Sequence, residues 1–142
     1  MQCIIFIGIP ASGKSTFYKE NYFNSHIRVS MDLLNTRNKE NKLIAYCFST
    51  QSRFVIDNTN VTKEERAKYI KMLKEKKYEI IAHYFEVGVE TAIQRNAHRK
   101  ESIPEIGIKA KNKQLELPSY EEGFDKIVKI CTQENQTQIE NL

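Results

Sequence analysis

Residues 8–15 read Gly8-Ile9-Pro10-Ala11-Ser12-Gly13-Lys14-Ser15, after the apolar run Cys3-Ile4-Ile5-Phe6-Ile7 and before the helix-compatible stretch Lys14 to Glu20. A G-x-x-x-x-G-K-S/T spacing between a strand and a helix is the phosphate-loop pattern. Successive backbone N–H groups and the positive end of the helix converge on phosphate oxygens, and a side chain at Gly13 would obstruct that approach. Gly8, Pro10, Ala11, Ser12, Gly13, Lys14, Ser15 and Thr16 are therefore the expected nucleotide-binding stretch. Lys14 is placed to reach β- and γ-phosphates, and Ser15 to hold Mg²⁺. This feature commits the chain to an α/β architecture, since it needs a buried strand feeding directly into a helix.

The remaining pattern agrees. Short apolar runs alternate with amphipathic stretches, the mark of a mostly parallel sheet covered by helices on both faces. Strands are expected at 2–7, 26–30, 53–56, 78–86 and 127–130, five in all. Helices are expected over 14–20, over 33–51 with exposed or interrupted early turns, over 63–77 and over 89–100. Thr62 and Glu65 form a capping-box pair at the third helix. Residues 101–118 hold Pro104, Gly107 and Pro118 among Lys109, Lys111 and Lys113, a basic connection with a short helix. Residues 1–131 make one domain; 132–142, rich in Gln, Asn and Glu, have little to bury and are expected to fray.

At 142 residues and 40% hydrophobic content, the chain suits a single compact core. Its net charge of +4 favours polyanions without marking a dedicated electrostatic binder. Cys3, Cys47 and Cys131 are odd in number and far apart, offering neither a metal spacing nor a disulfide framework. No basic leader followed by a long apolar stretch opens the chain, and no run approaches eighteen apolar residues. A soluble intracellular protein that does not cross a membrane is expected.

Phosphoryl transfer needs charge neutralisation and an oriented nucleophile. Asp32 stands just past the second strand, where ligands of open α/β sheets bind. It is either a general base for an acceptor hydroxyl or the N-cap of the next helix, and both can hold at once. Asp57, ending the third strand, is a Mg²⁺-water holder or a turn residue fixing the loop through Asn58 and Asn60. Arg95 and Arg99, four apart on one helix, share a face and can close over a nucleotide as arginine fingers; the alternative is a solvated face. His83 and His98 are assigned no role.

With these residues in view, the chain resembles the polynucleotide 5'-hydroxyl kinases, especially the kinase half of the animal polynucleotide kinase-phosphatases. The likeness runs from about Met1 to Ile130. It includes Gly8 to Phe17, Val55-Ile56-Asp57-Asn58-Thr59-Asn60, the Arg66 to Ile70 stretch, Arg95-Asn96-Ala97-His98-Arg99, and Leu117-Pro118-Ser119-Tyr120-Glu121-Glu122-Gly123-Phe124. The resemblance implies a P-loop kinase fold with a lid, and ATP- and Mg²⁺-dependent transfer of the γ-phosphate to a 5'-hydroxyl end of DNA or RNA. Asp32 matches the general base, Arg99 the lid arginine and Arg95 its neighbour. The phage branch has an arginine three residues after its catalytic Asp to hold the acceptor; Asn35 stands there in this chain, and Arg37 is the substitute for acceptor binding. No Asp-x-Asp-Gly-Thr phosphatase motif, ligase domain or forkhead-associated domain is seen, so the kinase is expected to stand alone. Ala11 replaces a glycine common in such loops. Within enzymes the alternative is a small-molecule or nucleoside kinase, and outside them a non-catalytic ATP-binding regulator.

Overall fold

The structure, a computed structural model, describes residues 1–133 and 136–142. Its organising element is β1 (Gln2–Ile7), buried almost end to end. Alternate side chains of a strand point to opposite faces, and β1 supplies both cores. Cys3, Ile5 and Ile7 join one hydrophobic cluster, while Ile4 and Phe6 join another. Such a strand is a continuous apolar run because neither face meets water.

The sheet has six strands in the order β2-β3-β1-β4-β5-β6, with β2 (Ile27–Val29), β3 (Phe54–Ile56), β4 (Glu79–Glu86), β5 (Lys126–Gln133) and β6 (Gln136–Asn141). The first five are parallel; β6 runs antiparallel to β5. Helix α1 (Lys14–Asn21) covers one face through Phe17 and Tyr18. Helices α3 (Arg37–Thr50) and α4 (Lys63–Glu75) cover the other through Ile44, Cys47, Tyr69, Ile70 and Leu73. Each such buried aliphatic side chain contributes roughly 1.5–3 kcal/mol. The chain leaves β1 toward one face and β3 toward the other, and the crevice between these two strands is where such sheets bind ligands. Helices α5 (Val89–Ala97) and α6 (Glu105–Gln114) pack on the phosphate loop, with Ile9, Ala92 and Ile108 at the contact.

Three expectations are corrected. The sheet has six strands rather than five, because 136–141, expected to fray, pair with β5, Ile139 opposite Ile130. This segment buries little, with Ile139 60% exposed. What orders it is the open edge of β5, whose unpaired backbone groups accept another strand. Residues 134 and 135 of the expected tail lie outside the described residues. The helix expected over 33–51 is two, α2 (Met31–Leu34) and α3. Asn35 at φ 69° ends the first, and Thr36 caps the second by accepting from Lys39 N. Helix α5 stops at Ala97, so Arg99 lies beyond its end and does not share a helical face with Arg95. At α4 the Thr62 hydroxyl accepts from Glu65 N at 3.1 Å, as its cap predicts. Among the described residues no helix is long and apolar enough to cross a membrane.

Candidate nucleotide and phosphoryl-transfer site

A cleft of about 540 Å³ opens at the carboxyl ends of β1, β2 and β3. Pro10, Ala11, Ser12, Gly13, Lys14, Ser15 and Thr16 form its floor; Asp32, Arg37 and Asp57 line it, as do Arg95, Arg99 and Lys111. Most of the residues singled out in the sequence thus meet in one place. Gly8 does not line it. A Cβ there would stand 2.8 Å from Ser12 Oγ and 3.1 Å from Phe85 Cβ, so Gly8 lets the loop fold back on itself. Gly13 is at φ 97°, a left-handed conformation glycine adopts without cost. The Lys14 ammonium donates to Gly8 O at 3.1 Å, Ile9 O at 2.9 Å and Ser12 Oγ at 3.4 Å. Burial pushes its pKa down to about 8, against the pull of Asp57 and Asp32 and with the repulsion of Arg99. Phosphate oxygens would offer that buried cation the countercharge the loop carbonyls lack.

At the head of α1, Ser15 Oγ donates to Asp57 Oδ2 at 3.2 Å. Arg28 reaches both, Nε to Asp57 Oδ2 at 2.8 Å and Nη2 to Ser15 Oγ at 3.0 Å. A hydroxyl and a carboxylate side by side are hard oxygen donors of the kind Mg²⁺ takes when phosphates and waters complete its octahedron. Among the described residues no group of three or more His, Cys, Asp or Glu gathers as a metal cage. Asp57 is buried at a strand end and lines the cleft, and among the described residues its carboxylate takes no hydrogen bond from Asn58 or Asn60. The loop after it is fixed separately, by Asn60 donating to Phe6 O at 2.8 Å. No sequence signal singles out Arg28, whose alternating strand reads as ordinary.

Asp32 is not an N-cap. Ser30 holds that position of α2, Asp32 lies within the first turn, and its carboxyl has no hydrogen bond among the described residues. It is exposed to the cleft with its acceptor capacity unspent. The Met31 N–H is instead taken by Asn58 Oδ1 at 2.9 Å. Arg37 stands on the same side, its side chain 56% exposed, anchored through Nη1 to Glu40 Oε1 at 2.9 Å and the Tyr69 hydroxyl at 2.9 Å.

Across the cleft, Arg95 donates from Nη2 to Thr132 O. Arg99 follows the end of α5, in a turn closed by Asn96, which donates to Ile103 O at 2.7 Å and accepts from Ile103 N at 3.0 Å. Both arginines line the cleft, Arg95 from the last turn of α5 and Arg99 from this pinned turn. His98 is the C-cap of α5 and does not line the cleft. Of the expected basic track only Lys111 faces inward; Lys109 pairs with Glu105 on its own helix at 3.3 Å.

A family described as an AAA domain, AAA_33, matches residues 3–118. The chain belongs to this family. A bifunctional polynucleotide phosphatase/kinase of Schizosaccharomyces pombe is 28% identical over 91% of the chain, and a putative one of Acanthamoeba polyphaga mimivirus 34% identical over 89%. The chain spans about a third of the length of each, 33% and 32%. Among solved structures, Kti12 of Chaetomium thermophilum in complex with ADP-AlF3 superposes at TM-score 0.68 with 17% identity, over 91% of this chain and 88% of that one. A gluconokinase of Sinorhizobium meliloti follows at 0.61 with 15% identity, over 92% and 82%. The fold is that of P-loop kinases, the nucleotide-binding floor goes with it, and the chain resembles polynucleotide phosphatase/kinases along most of its length.

Proposed function

We propose that this AAA_33 domain transfers the γ-phosphate of ATP to the 5'-hydroxyl end of DNA or RNA. The observation that carries the reading is an Asp32 carboxylate with no hydrogen-bond partner among the described residues, lining the same cleft as the phosphate loop and the half-exposed guanidinium of Arg37. The polynucleotide phosphatase/kinase relatives support this choice of acceptor.

The loop N–H groups and Lys14 hold the β- and γ-phosphates. Asp32 accepts the proton of the 5'-hydroxyl as its oxygen attacks the γ-phosphorus; the new P–O bond forms as the bond to the β-phosphate bridging oxygen breaks, and ADP leaves. Arg95 and Arg99 lie where negative charge spreads over the moving phosphoryl group, which guanidinium donors stabilise. Ser15 and Asp57 would hold Mg²⁺, which when bound neutralises phosphate charge. Arg37 holds a phosphate of the acceptor strand, and Lys111 is the second cation beside it. The three thiols, all free, support an intracellular setting where ATP is present.

The test is ³²P transfer from ATP to a 5'-hydroxyl oligomer, a nucleoside 3'-monophosphate and a nucleoside, each at two salt concentrations. kcat/KM is expected to rise along that series reversed, highest for the oligomer, and to fall with salt for the oligomer most steeply. Asp32→Asn keeps the shape but takes no proton, and should lower kcat by about 10² or more with the ATP Kd nearly unchanged. Equal kcat/KM for all three acceptors without salt dependence would move the chain to the small-molecule kinases.

A further inference from the structure

Behind the acceptor side of the cleft lies a carboxylate that the chemistry above does not use. Glu40 sits in the most polar run of the chain, Asn38-Lys39-Glu40-Asn41-Lys42, yet it is 1% exposed. It collects donors from three elements: Arg37 Nη1 at 2.9 Å from its own helix α3, the Tyr69 hydroxyl at 3.0 Å from α4, and Asn58 Nδ2 at 3.1 Å from the loop after β3. Arg37 also donates to the Tyr69 oxygen, which leaves the Tyr69 proton for Glu40. Burial first and the Glu40 carboxylate second hold the Tyr69 hydroxyl well above its ordinary pKa, so it stays a donor.

The Asn58 amide fixes the direction of the chain of bonds. Its Oδ1 accepts from Met31 N, a group that can only donate, so its Nδ2 must face acceptors, Glu40 Oε2 at 3.1 Å and, more distantly, the Tyr69 oxygen at 3.4 Å. Met31 opens α2, where backbone N–H groups have no intrahelical partner, and the N-cap Ser30 makes no side-chain cap hydrogen bond there, its Oγ having no partner among the described residues. Asn58 therefore caps α2 from another element. One residue later comes Asp32.

We infer that Glu40 is the positioning residue of the acceptor half of the site, its buried carboxylate setting Arg37 on one side and, through Asn58, the Asp32-bearing turn on the other. The assignment to an acceptor half rests on the function proposed above; the bracket itself does not. A carboxylate is needed because all three partners arrive as donors. A glutamine would turn an N–H toward Arg37 or Asn58 and leave one of them facing a donor. Nothing in the bracket touches the floor of the phosphate loop, so its loss should spare nucleotide binding.

The experiment uses Glu40→Gln, with Tyr69→Phe as a second variant that keeps the core ring should the first fail to fold. Two quantities are read on the full chain. Amide exchange at Met31 needs no substrate: it should quicken by about tenfold or more in Glu40→Gln, while amides of β1 and β4 hold their rates. Steady-state kinetics with a 5'-hydroxyl oligomer should show kcat/KM for the acceptor down about tenfold and KM for ATP within about threefold. In the double variant Glu40→Gln with Arg37→Ala, the acceptor losses should be less than additive, because one acts through the other. Unchanged Met31 exchange in a folded variant overturns the inference, whatever the activity. Failure of the wild-type chain to phosphorylate the oligomer instead overturns the proposed function and leaves Met31 exchange to decide the bracket.

Discussion

Two arginine–carboxylate pairs lie on the same face of the sheet and end differently. Arg66 is wholly buried. Its Nε and Nη2 take the two oxygens of Glu122 at 2.8 and 3.0 Å, and its Nη1 donates to the carbonyls of Asn60, Val61 and Glu116. Each of its three nitrogens is engaged inside the fold, tying α4 to the turn at Tyr120–Glu122 and to the loop before α4. Arg37 spends one nitrogen on Glu40 and Tyr69 and leaves the others at the cleft. The first pair is architecture; the second is a cation held at its base and free at its tip. Unspent hydrogen-bonding capacity beside a cleft, rather than charge or burial alone, separates a site residue from a structural one.

The largest effect should come from the closed pair. Arg66→Ala leaves Glu122 and three carbonyls without donors, and breaking a buried pair this way costs about 3–5 kcal/mol. Urea denaturation should show that loss outright, with any activity falling in step with the folded fraction. Arg37→Ala, by contrast, should lower the urea midpoint less, since its guanidinium is half exposed and Glu40 keeps the Tyr69 hydroxyl and the Asn58 amide as donors. A small change for Arg66 would erase the distinction.

His83 is the intermediate case: buried, partnered on one side only. Nε2 lies 2.7 Å from the Tyr22 hydroxyl, and Nδ1 has no partner among the described residues. Burial pushes the imidazole down to about 4. Below the unfolded value near 6.5 the unfolded chain binds a proton that the folded chain refuses, so stability is lost as pH falls from about 6.5 toward 4, by about 2 kcal/mol at pH 5. Unfolding free energies at pH 7.5 and 5 should therefore diverge more for the wild type than for His83→Gln. Equal pH slopes would show that His83 is protonated without cost and that its unpaired nitrogen is solvated.

The fold was legible because β1 is apolar from Cys3 to Ile7 and the phosphate loop follows directly on such a strand. The cleft was legible because Lys14, Asp32, Asp57, Arg95 and Arg99 each stand next to a recognisable boundary. Glu40 was not, since a glutamate among Asn and Lys reads as solvated surface, and its burial depends on Tyr69 and Asn58 arriving from distant segments. Arg28 was hidden for the same reason: its partners are 13 and 29 residues away. Two stretches that carry the family resemblance, Arg66 to Ile70 and Leu117 to Phe124, turn out to hold the closed structural pair. Strand β6 was missed because backbone pairing at a sheet edge leaves no apolar period to read.

A milder test of the contrast is Arg37→Ala itself. With Nε and Nη2 unpartnered among the described residues and the side chain lining the cleft, its loss should cost about tenfold in oligomer kcat/KM, and the plot of log affinity against log salt should flatten by about one phosphate contact. Arg37→Lys should recover part of this, since the charge returns without the fork that grips Glu40. An unchanged salt slope would mean that the tip of Arg37 meets no phosphate.

The smallest effect concerns backbone rather than side chains, and it divides the two regions the same way. Both contain a non-glycine residue in the left-handed conformation: Asn60, whose carbonyl Arg66 holds, at φ 46°, and Ala11, on the cleft floor, at φ 62°. Asparagine tolerates that region, and Asn60 also donates to Phe6 O. Alanine has no such compensation, and the conformation costs it roughly 1–2 kcal/mol. Ala11→Gly removes that strain but adds freedom to the unfolded chain worth about 0.4–1 kcal/mol. The net should be a gain of up to about 1 kcal/mol, a rise in Tm of about 3 °C. Asn60→Gly should instead lose stability, because it gives up a buried hydrogen bond for strain it never had. Strain at Ala11 is tolerable only if the loop needs that backbone direction for its N–H groups, so the glycine variant, though more stable, should bind Mg-ATP no more tightly. Thermal melts of the two variants with and without Mg-ATP measure both halves; a destabilised Ala11→Gly would show that the loop carries no strain at that position.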